Sequence, residues 1–270
     1  MDLALIVKSV ILGIVQGLTE FLPIISTGHM IIVDEYLRLP EDFSKMFLVV
    51  VQLGSILSVV VYFWNTLLPK EALHDIAVRK RMFLLWMKVL AGVLPALVIG
   101  GLFGSAIKQH LYSVQCVAIA LFIGGILLIV MERRKHEAKL TDTAGMPWTT
   151  AIGIGLAQCV AMIPGVSRSA ATIIGALCLG ASRKVAVEYS FFLAIPTMFA
   201  ASAYSVMKEG MGMTAAQWIA TAAGFVTAFI VALAVIAFLM SYIRRRDFQL
   251  FGWYRIVLAV VLLVWLYAIK

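Results

Sequence analysis

Five side chains able to do chemistry fall within fourteen residues of otherwise apolar sequence: Gln16, Glu20, Ser26, Thr27 and His29. Gln16 and Glu20 are four apart, which on a helix places them on one face. If the apolar surroundings lie in lipid, a carboxylate there costs at least ~2.5–3.5 kcal/mol on insertion scales, and such groups almost always face a cavity or a partner. A polar helix–helix contact is the alternative use for Glu20. His29 follows Gly28, which lets the backbone turn tightly, and imidazole is the side chain best suited to proton transfer near neutral pH. Alone it could be an interfacial histidine. Beside a carboxylate and two hydroxyls it completes the ingredients of a nucleophile with a nearby general acid or base.

A second polar cluster reads Pro164-Gly165-Val166-Ser167-Arg168-Ser169-Ala170-Ala171-Thr172 and then continues as an apolar helix. It has the composition of an oxyanion cradle. Arg168 supplies a fixed positive fork, Ser167 and Ser169 supply hydroxyls, and the start of the following helix presents free N–H groups with the positive end of its dipole. Arg168 paired only with Glu188 or with a carbonyl is the structural alternative. Together the clusters suit a phosphorylated lipid, its chain between apolar segments and its phosphoryl group against Arg168, where positioning and charge stabilisation do most of the work of phosphoryl transfer.

These clusters must be positioned by an all-α polytopic membrane protein. Of 270 residues 63% are hydrophobic and 13% charged, with a mean hydropathy of +1.01, too little polar surface to cover a soluble globule. A helix needs about 20 apolar residues to cross a bilayer, and six runs qualify: 46–66, 84–104, 114–132, 186–206, 216–241 and 251–269. Two further stretches, 4–38 and 148–181, are interrupted at their centres by Pro, Gly, Ser and ionisable groups. Non-helical backbone is tolerated at membrane depth only where protein or water satisfies it, so each stretch is predicted to form a re-entrant helical hairpin. Pro23-x-x-Ser26 and Pro164-x-x-Ser167 repeat at an offset of 141 residues, each followed by three spans. The chain therefore reads as a single membrane domain, 1–270, of inverted-topology repeats over about 4–132 and 148–269, with its site at the repeat interface. The N-terminus, beginning Met1-Asp2, lacks a basic n-region and reads as mature structure.

The net charge of +8 is spread over short loops with no basic helix or aromatic-interleaved patch, which argues against nucleic acid. Instead it reports topology. Thirteen loop cations (Lys70, Arg79, Lys80, Arg81, Arg133, Arg134, Lys135, Lys139, Arg183, Lys184, Arg244, Arg245, Arg246) fall on one face and five (Arg38, Lys45, Lys108, Lys208, Lys270) on the other. By the positive-inside rule the first face is cytoplasmic and the first hairpin opens outward. Cys116, Cys159 and Cys178 lie in apolar segments without ligand spacing and read as packing residues. Gly13-x-x-x-Gly17 is a helix-packing pair read as letting half-helices approach within one chain; a homodimer stays open.

The motifs resemble those of the bacitracin-resistance type undecaprenyl-pyrophosphate phosphatases of bacterial inner membranes. Gln16-x-x-x-Glu20 is similar to that family's Glu/Gln-x-x-x-Glu, Leu22-Pro23 through Ser26-Thr27-Gly28-His29 to its Leu-Pro-x-Ser-Ser-x-Gly-His, and 164–172 to its Pro-Gly-x-Ser-Arg-Ser-x-x-Thr. The resemblance extends over the whole chain, including Gln52-Leu53-Gly54 and Glu188-Tyr189-Ser190-Phe191. It implies hydrolysis of undecaprenyl pyrophosphate to undecaprenyl phosphate and inorganic phosphate, recycling the carrier lipid of cell-wall synthesis. Bacitracin competes by sequestering that lipid. A divalent cation, Mg2+ or Ca2+, is implied, as are an outward-facing site, six spans and two re-entrant hairpins. Carried over, Ser26 is the nucleophile or orients water, Glu20 is the base or holds the metal, with Gln16 and Thr27 beside it, and His29 is proton donor or alternative nucleophile. Arg168, Ser167, Ser169 and Thr172 bind the pyrophosphate, and Gln16 and Thr27 are counted among the substrate-binding residues.

One position departs: Ile25 stands where the family has the first of two serines. Isoleucine cannot donate to a phosphate oxygen and its branching stiffens the turn, so that serine is either dispensable or its loss alters activity. Rival readings are a transporter or flippase of the same lipid, since inverted repeats with broken helices are a common transporter plan, and a purely structural scaffold. The type-2 phosphatidic-acid phosphatase class is excluded, because Gly175 stands where its histidine would follow the Ser-Arg pair. The charge count predicts that a tag appended after Lys270 is accessible from outside intact cells; accessibility only after permeabilisation would overturn the assigned orientation.

Overall fold

The computed structural model describes residues 2–111, 113–134 and 138–268. Lys135 and Lys270, which enter the charge count, lie outside the described residues. Apart from a single isolated β-bridge between Leu140 and Ala181, the regular structure of the described residues is helical. In chain order the helices are α1 (Leu3–Thr19), α2 (Ser26–Leu37), α3 (Glu41–Tyr62), α4 (Trp64–Leu67), α5 (Ile76–Leu111), α6 (Val114–Arg133), α7 (Trp148–Cys159), α8 (Arg168–Cys178), α9 (Arg183–Glu209), α10 (Ala215–Tyr242) and α11 (Gln249–Ala268). Six of them, α3, α5, α6, α9, α10 and α11, are long and apolar enough to cross a membrane, in agreement with the six runs read from hydropathy. Boundaries shift where helix chemistry outruns the apolar pattern. Pro40 precedes the first turn of α3, which carries Glu41 and Asp42 at the positive end of its dipole. The helix therefore starts before its apolar run.

The interrupted stretches form pairs of shorter helices. α1 has 17 residues, and α2, α7 and α8 have 12, 12 and 11; at about 1.5 Å per residue, α2, α7 and α8 reach less than 20 Å, short of a ~30 Å hydrocarbon core. α1 packs on α2, and α7 on α8. The two Pro-x-x-Ser sequences occupy equivalent places. Ser26 is the first residue of α2, and Ser167 caps α8 by accepting from the Ala170 N–H at 3.3 Å.

Two compact units emerge, one of Met1–Phe21, Ser26–Trp64 and Ala194–Leu239, the other of Leu22–Ile25, Asn65–Leu193 and Met240–Lys270. In the first, Leu5 and Leu12 of α1, Met30 of α2, Phe43, Phe47 and Val51 of α3 and Ala220 and Ala228 of α10 make one apolar core. Gly13 and Gly17 lie directly against the α10 backbone at Gly224 and Ala228. The small-residue pair therefore serves an intrachain contact, as expected, but its partner is a spanning helix and not the other half-helix; backbones can approach this closely only where no Cβ intervenes.

The second unit is organised around α6 against α11 and α5 against α7. Gly125 faces the Gly252 carbonyl, and Gly155 faces Gly92. Because lipid is as apolar as leucine, such close backbone approach supplies the packing energy that hydrophobicity cannot. At the end of α6 the Glu132 carboxylate, its side chain 4% exposed, accepts from Arg183 Nε at 3.0 Å and from the Phe248 N–H at 3.2 Å, fixing the starts of α9 and α11. Glu132→Ala leaves both donors unpaired and is expected to cost about 2 kcal/mol, seen as a fall of about 5 °C in Tm for the detergent-solubilised protein.

Candidate active site

The first break starts at Glu20, the C-cap of α1, and ends at Ser26. Glu20 and Gln16 are buried side by side, and Gln16 Nε2 donates to Glu20 Oε2 at 2.8 Å, the contact that their spacing of four requires. Ser26 Oγ donates to the same oxygen at 2.7 Å. A hydroxyl aimed at a buried carboxylate is the arrangement of a nucleophile beside its base. Gln16 Oε1 is fully buried with no hydrogen-bond partner; its amide group has turned its donor end toward Glu20, leaving the carbonyl oxygen available to an electropositive ligand. His29 is half-buried and Thr27 exposed, both in the first turns of α2. Ser26 and His29, three apart, share a helix face.

Around the second break the hydroxyls form a directed chain. Ser169 Oγ donates to the Leu22 carbonyl at 2.9 Å, so the Ser167–Ser169 contact of 2.9 Å must run from Ser167 to Ser169. Ser167 Oγ in turn accepts the Ala170 N–H as helix cap. Gly165 adopts φ +93, a conformation L side chains rarely take, and a Cβ there would meet the Val117 carbonyl oxygen at 2.5 Å. Only glycine lets this turn lie against α6. Arg168 Nη1 donates to the Ser190 carbonyl at 3.2 Å. Glu188 does not take part: Thr143 donates to it at 2.5 Å and Lys184 lies 3.7 Å away. Thr172 is wholly buried, its hydroxyl contacting the Arg168 carbonyl at 2.9 Å and Ser190 Oγ at 2.6 Å.

Two residues outside the sequence-derived set shape this break. Ser190 meets Arg168 through its carbonyl and Thr172 through its hydroxyl. Arg255 of α11 is fully buried and donates to Ile24, Ala120 and Gly165 carbonyls. Both carried a signal. Ser190 sits in the Glu188–Phe191 run, and an arginine inside an apolar span is a functional candidate by default. Beside the second break opens an apolar groove of about 660 Å³, lined by Ile119, Ile123, Leu127, Ile163, Val166 and Ile174. Among the described residues no cluster of three or more His, Cys, Asp or Glu is placed to hold a metal; oxygen donors at Gln16, Glu20 and Ser26 are the candidates.

Residues 9–261 match the model of a family described as bacitracin resistance protein BacA. The chain belongs to this family. Its relatives include undecaprenyl-diphosphatase 1 of Clostridioides difficile, 49% identical over 97% of this chain and 96% of the relative. The undecaprenyl-diphosphatase of Enterococcus faecalis is 46% identical over 98% of each, and that of Acetivibrio thermocellus is 43% identical over 98% of this chain and 99% of the relative.

The departure at Ile25 has a packing explanation. Its side chain is buried with Leu121 and Ala259, with Val117, Leu258 and Leu262 around them. Isoleucine fills an apolar site between α6 and α11, where a serine hydroxyl would add no apolar contact. Ile25→Ser is therefore expected to lose about 2 kcal/mol, the cost of emptying part of a core position, measured as a lower Tm with unchanged expression.

Proposed function

We propose that the protein hydrolyses undecaprenyl pyrophosphate to undecaprenyl phosphate and inorganic phosphate, and so recycles the carrier lipid of cell-wall synthesis. The observation that carries the reading is Ser26 Oγ donating to the buried carboxylate of Glu20, in a chain that shares nearly full-length identity with undecaprenyl-diphosphatases. Glu20 accepts the Ser26 proton as Ser26 Oγ attacks the terminal phosphorus. Undecaprenyl phosphate leaves, and a phosphoseryl enzyme remains. Water then attacks that phosphorus, inorganic phosphate departs and Ser26 regains a proton. His29, on the Ser26 face of α2, exchanges protons with the leaving group and the water.

Arg168 and the first amides of α8 hold the phosphoryl oxygens, a charged fork and a helix N-terminus acting together. Ser167 and Ser169 have committed their protons to each other and to Leu22, so they keep the cradle in shape. Thr172 does the same by tying α8 to α9 through Ser190.

The hard oxygen donors of Gln16, Glu20 and Ser26 fit a divalent cation such as Mg2+ or Ca2+, and the unpartnered Gln16 Oε1 is the atom such an ion would satisfy. When bound, the ion supplies positive charge against the phosphoryl oxygens. The apolar groove beside the second break suits the prenyl chain. The two short-helix pairs are re-entrant hairpins in the bacterial inner membrane, the site faces outward, and bacitracin competes by sequestering the same lipid. Purified protein is expected to release phosphate from undecaprenyl or farnesyl pyrophosphate. Arg168→Ala should lower turnover at least about a hundredfold, the usual contribution of an oxyanion-stabilising group; near-normal turnover would remove Arg168 from the site, and lipid translocation without phosphate release would favour transport.

A further inference from the structure

Among the described residues Arg255 is the largest fully buried side chain, placed inside a spanning helix. Burying a guanidinium in lipid-embedded protein is expensive, and the cost is normally offset by a carboxylate. Here the partners are three main-chain carbonyls: Nη1 donates to Ile24 O at 3.3 Å, and Nη2 donates to Ala120 O at 3.3 Å and to Gly165 O at 3.2 Å. Nε is buried without a partner. A residue selected only to neutralise charge or fill space would not have this pattern. The carbonyls are telling in their positions: Ile24 lies in the first break, two residues before Ser26, and Gly165 lies in the second, three before Arg168. Helix breaks free carbonyls that water cannot reach, and arginine is the side chain with enough donors in a fixed fork to satisfy several at once.

The surroundings are shaped for this fork. A Cβ at Gly124 would collide with Arg255 Nη2 and come within 3.0 Å of Cζ, so the glycine of α6 is the slot that admits the guanidinium. Gly125 and Gly252 bring α6 and α11 together on either side of it. Gly165, already restricted by its positive φ, has its carbonyl held by the same group.

We propose that Arg255 is a positioning residue for the phosphatase reaction: by gripping the Ile24 carbonyl and the Gly165 carbonyl, it holds the Leu22–Ile25 segment that leads into α2 against the turn that leads into α8. The inference rests on the reading of the site given under Proposed function. Arg255 and Gly124 border the apolar groove beside the second break, but Arg255 is fully buried, and the role assigned to it is alignment of the breaks. Its loss acts on alignment, where a displacement of about 1 Å can cost on the order of a hundredfold in rate, while the phosphate-binding side chain of Arg168 is itself retained. The effect belongs in kcat more than in KM.

The test uses full-length protein in detergent, with phosphate release normalised to the folded fraction measured by size exclusion and melting. Arg255→Lys keeps the charge but offers one ammonium that cannot span the three carbonyls; kcat per folded molecule is expected to fall at least about tenfold with KM within about threefold of wild type. Gly124→Ala leaves Arg255 and both breaks unaltered in sequence and displaces the guanidinium, so it should lower kcat in the same direction. The double variant should lose less than the product of the two single effects, because both act through one contact. Wild-type-like kcat per folded molecule in either single variant overturns the proposal, as does the absence of any folded fraction in both, which would make Arg255 a residue of the fold alone. A wild-type protein that releases no phosphate would instead overturn the phosphatase reading, so the two failures are distinguishable.

Discussion

Backbone carbonyls and amides cannot be left unpaired in a membrane, and a helix that stops inside it exposes several at once. Both breaks of this chain meet that constraint with donors built into the protein. Ser169 supplies one hydroxyl to Leu22, and Arg255 supplies separate N–H groups to Ile24 and Gly165. Ser167 closes the first turn of α8 on itself. Polar chemistry can therefore sit within apolar sequence because the distortion that creates it has been satisfied by side chains. Arg255 is buried at a cost that only such multiple acceptance offsets.

The same satisfaction explains why the hydroxyls divide into two kinds. Those of Ser167, Ser169 and Thr172 are engaged with one another or with backbone and hold α8 in place. Ser26 instead points at a carboxylate that Gln16 also contacts. A hydroxyl donating to a carboxylate can lose its proton to it; a hydroxyl donating to a carbonyl cannot. This difference in acceptor, and not the residue type, separates a candidate nucleophile from a structural serine.

Packing against close neighbours also accounts for the departure at Ile25. In sequence it is a hydroxyl missing from a polar motif. In the fold its side chain joins Leu121 and Ala259, so the position contributes to seating the first break against α6 and α11. Pro23, Ile24 and Ile25 are all buried, and the polar motif contains an apolar anchor.

Hydropathy and spacing alone determined the six spans, the two interruptions and the face shared by Gln16 and Glu20, because those properties depend on residues within a turn or two of one another. The presence of a carboxylate, hydroxyls and an imidazole near one break and of an arginine with serines at the other was equally legible. Tertiary structure decided which acceptor each donor meets. Arg255 lies 231 residues from Ile24 and 90 from Gly165, and Ser169 lies 147 from Leu22. Local periodicity carries no information over such separations. Gly13 and Gly17 show the same limit: their spacing announced a close helix contact, yet that the contact is with α10 followed only from how distant segments pack. The direction of the Ser26 proton and the burial of Arg255 are likewise properties of the assembled interior, where desolvation makes every polar group choose a partner.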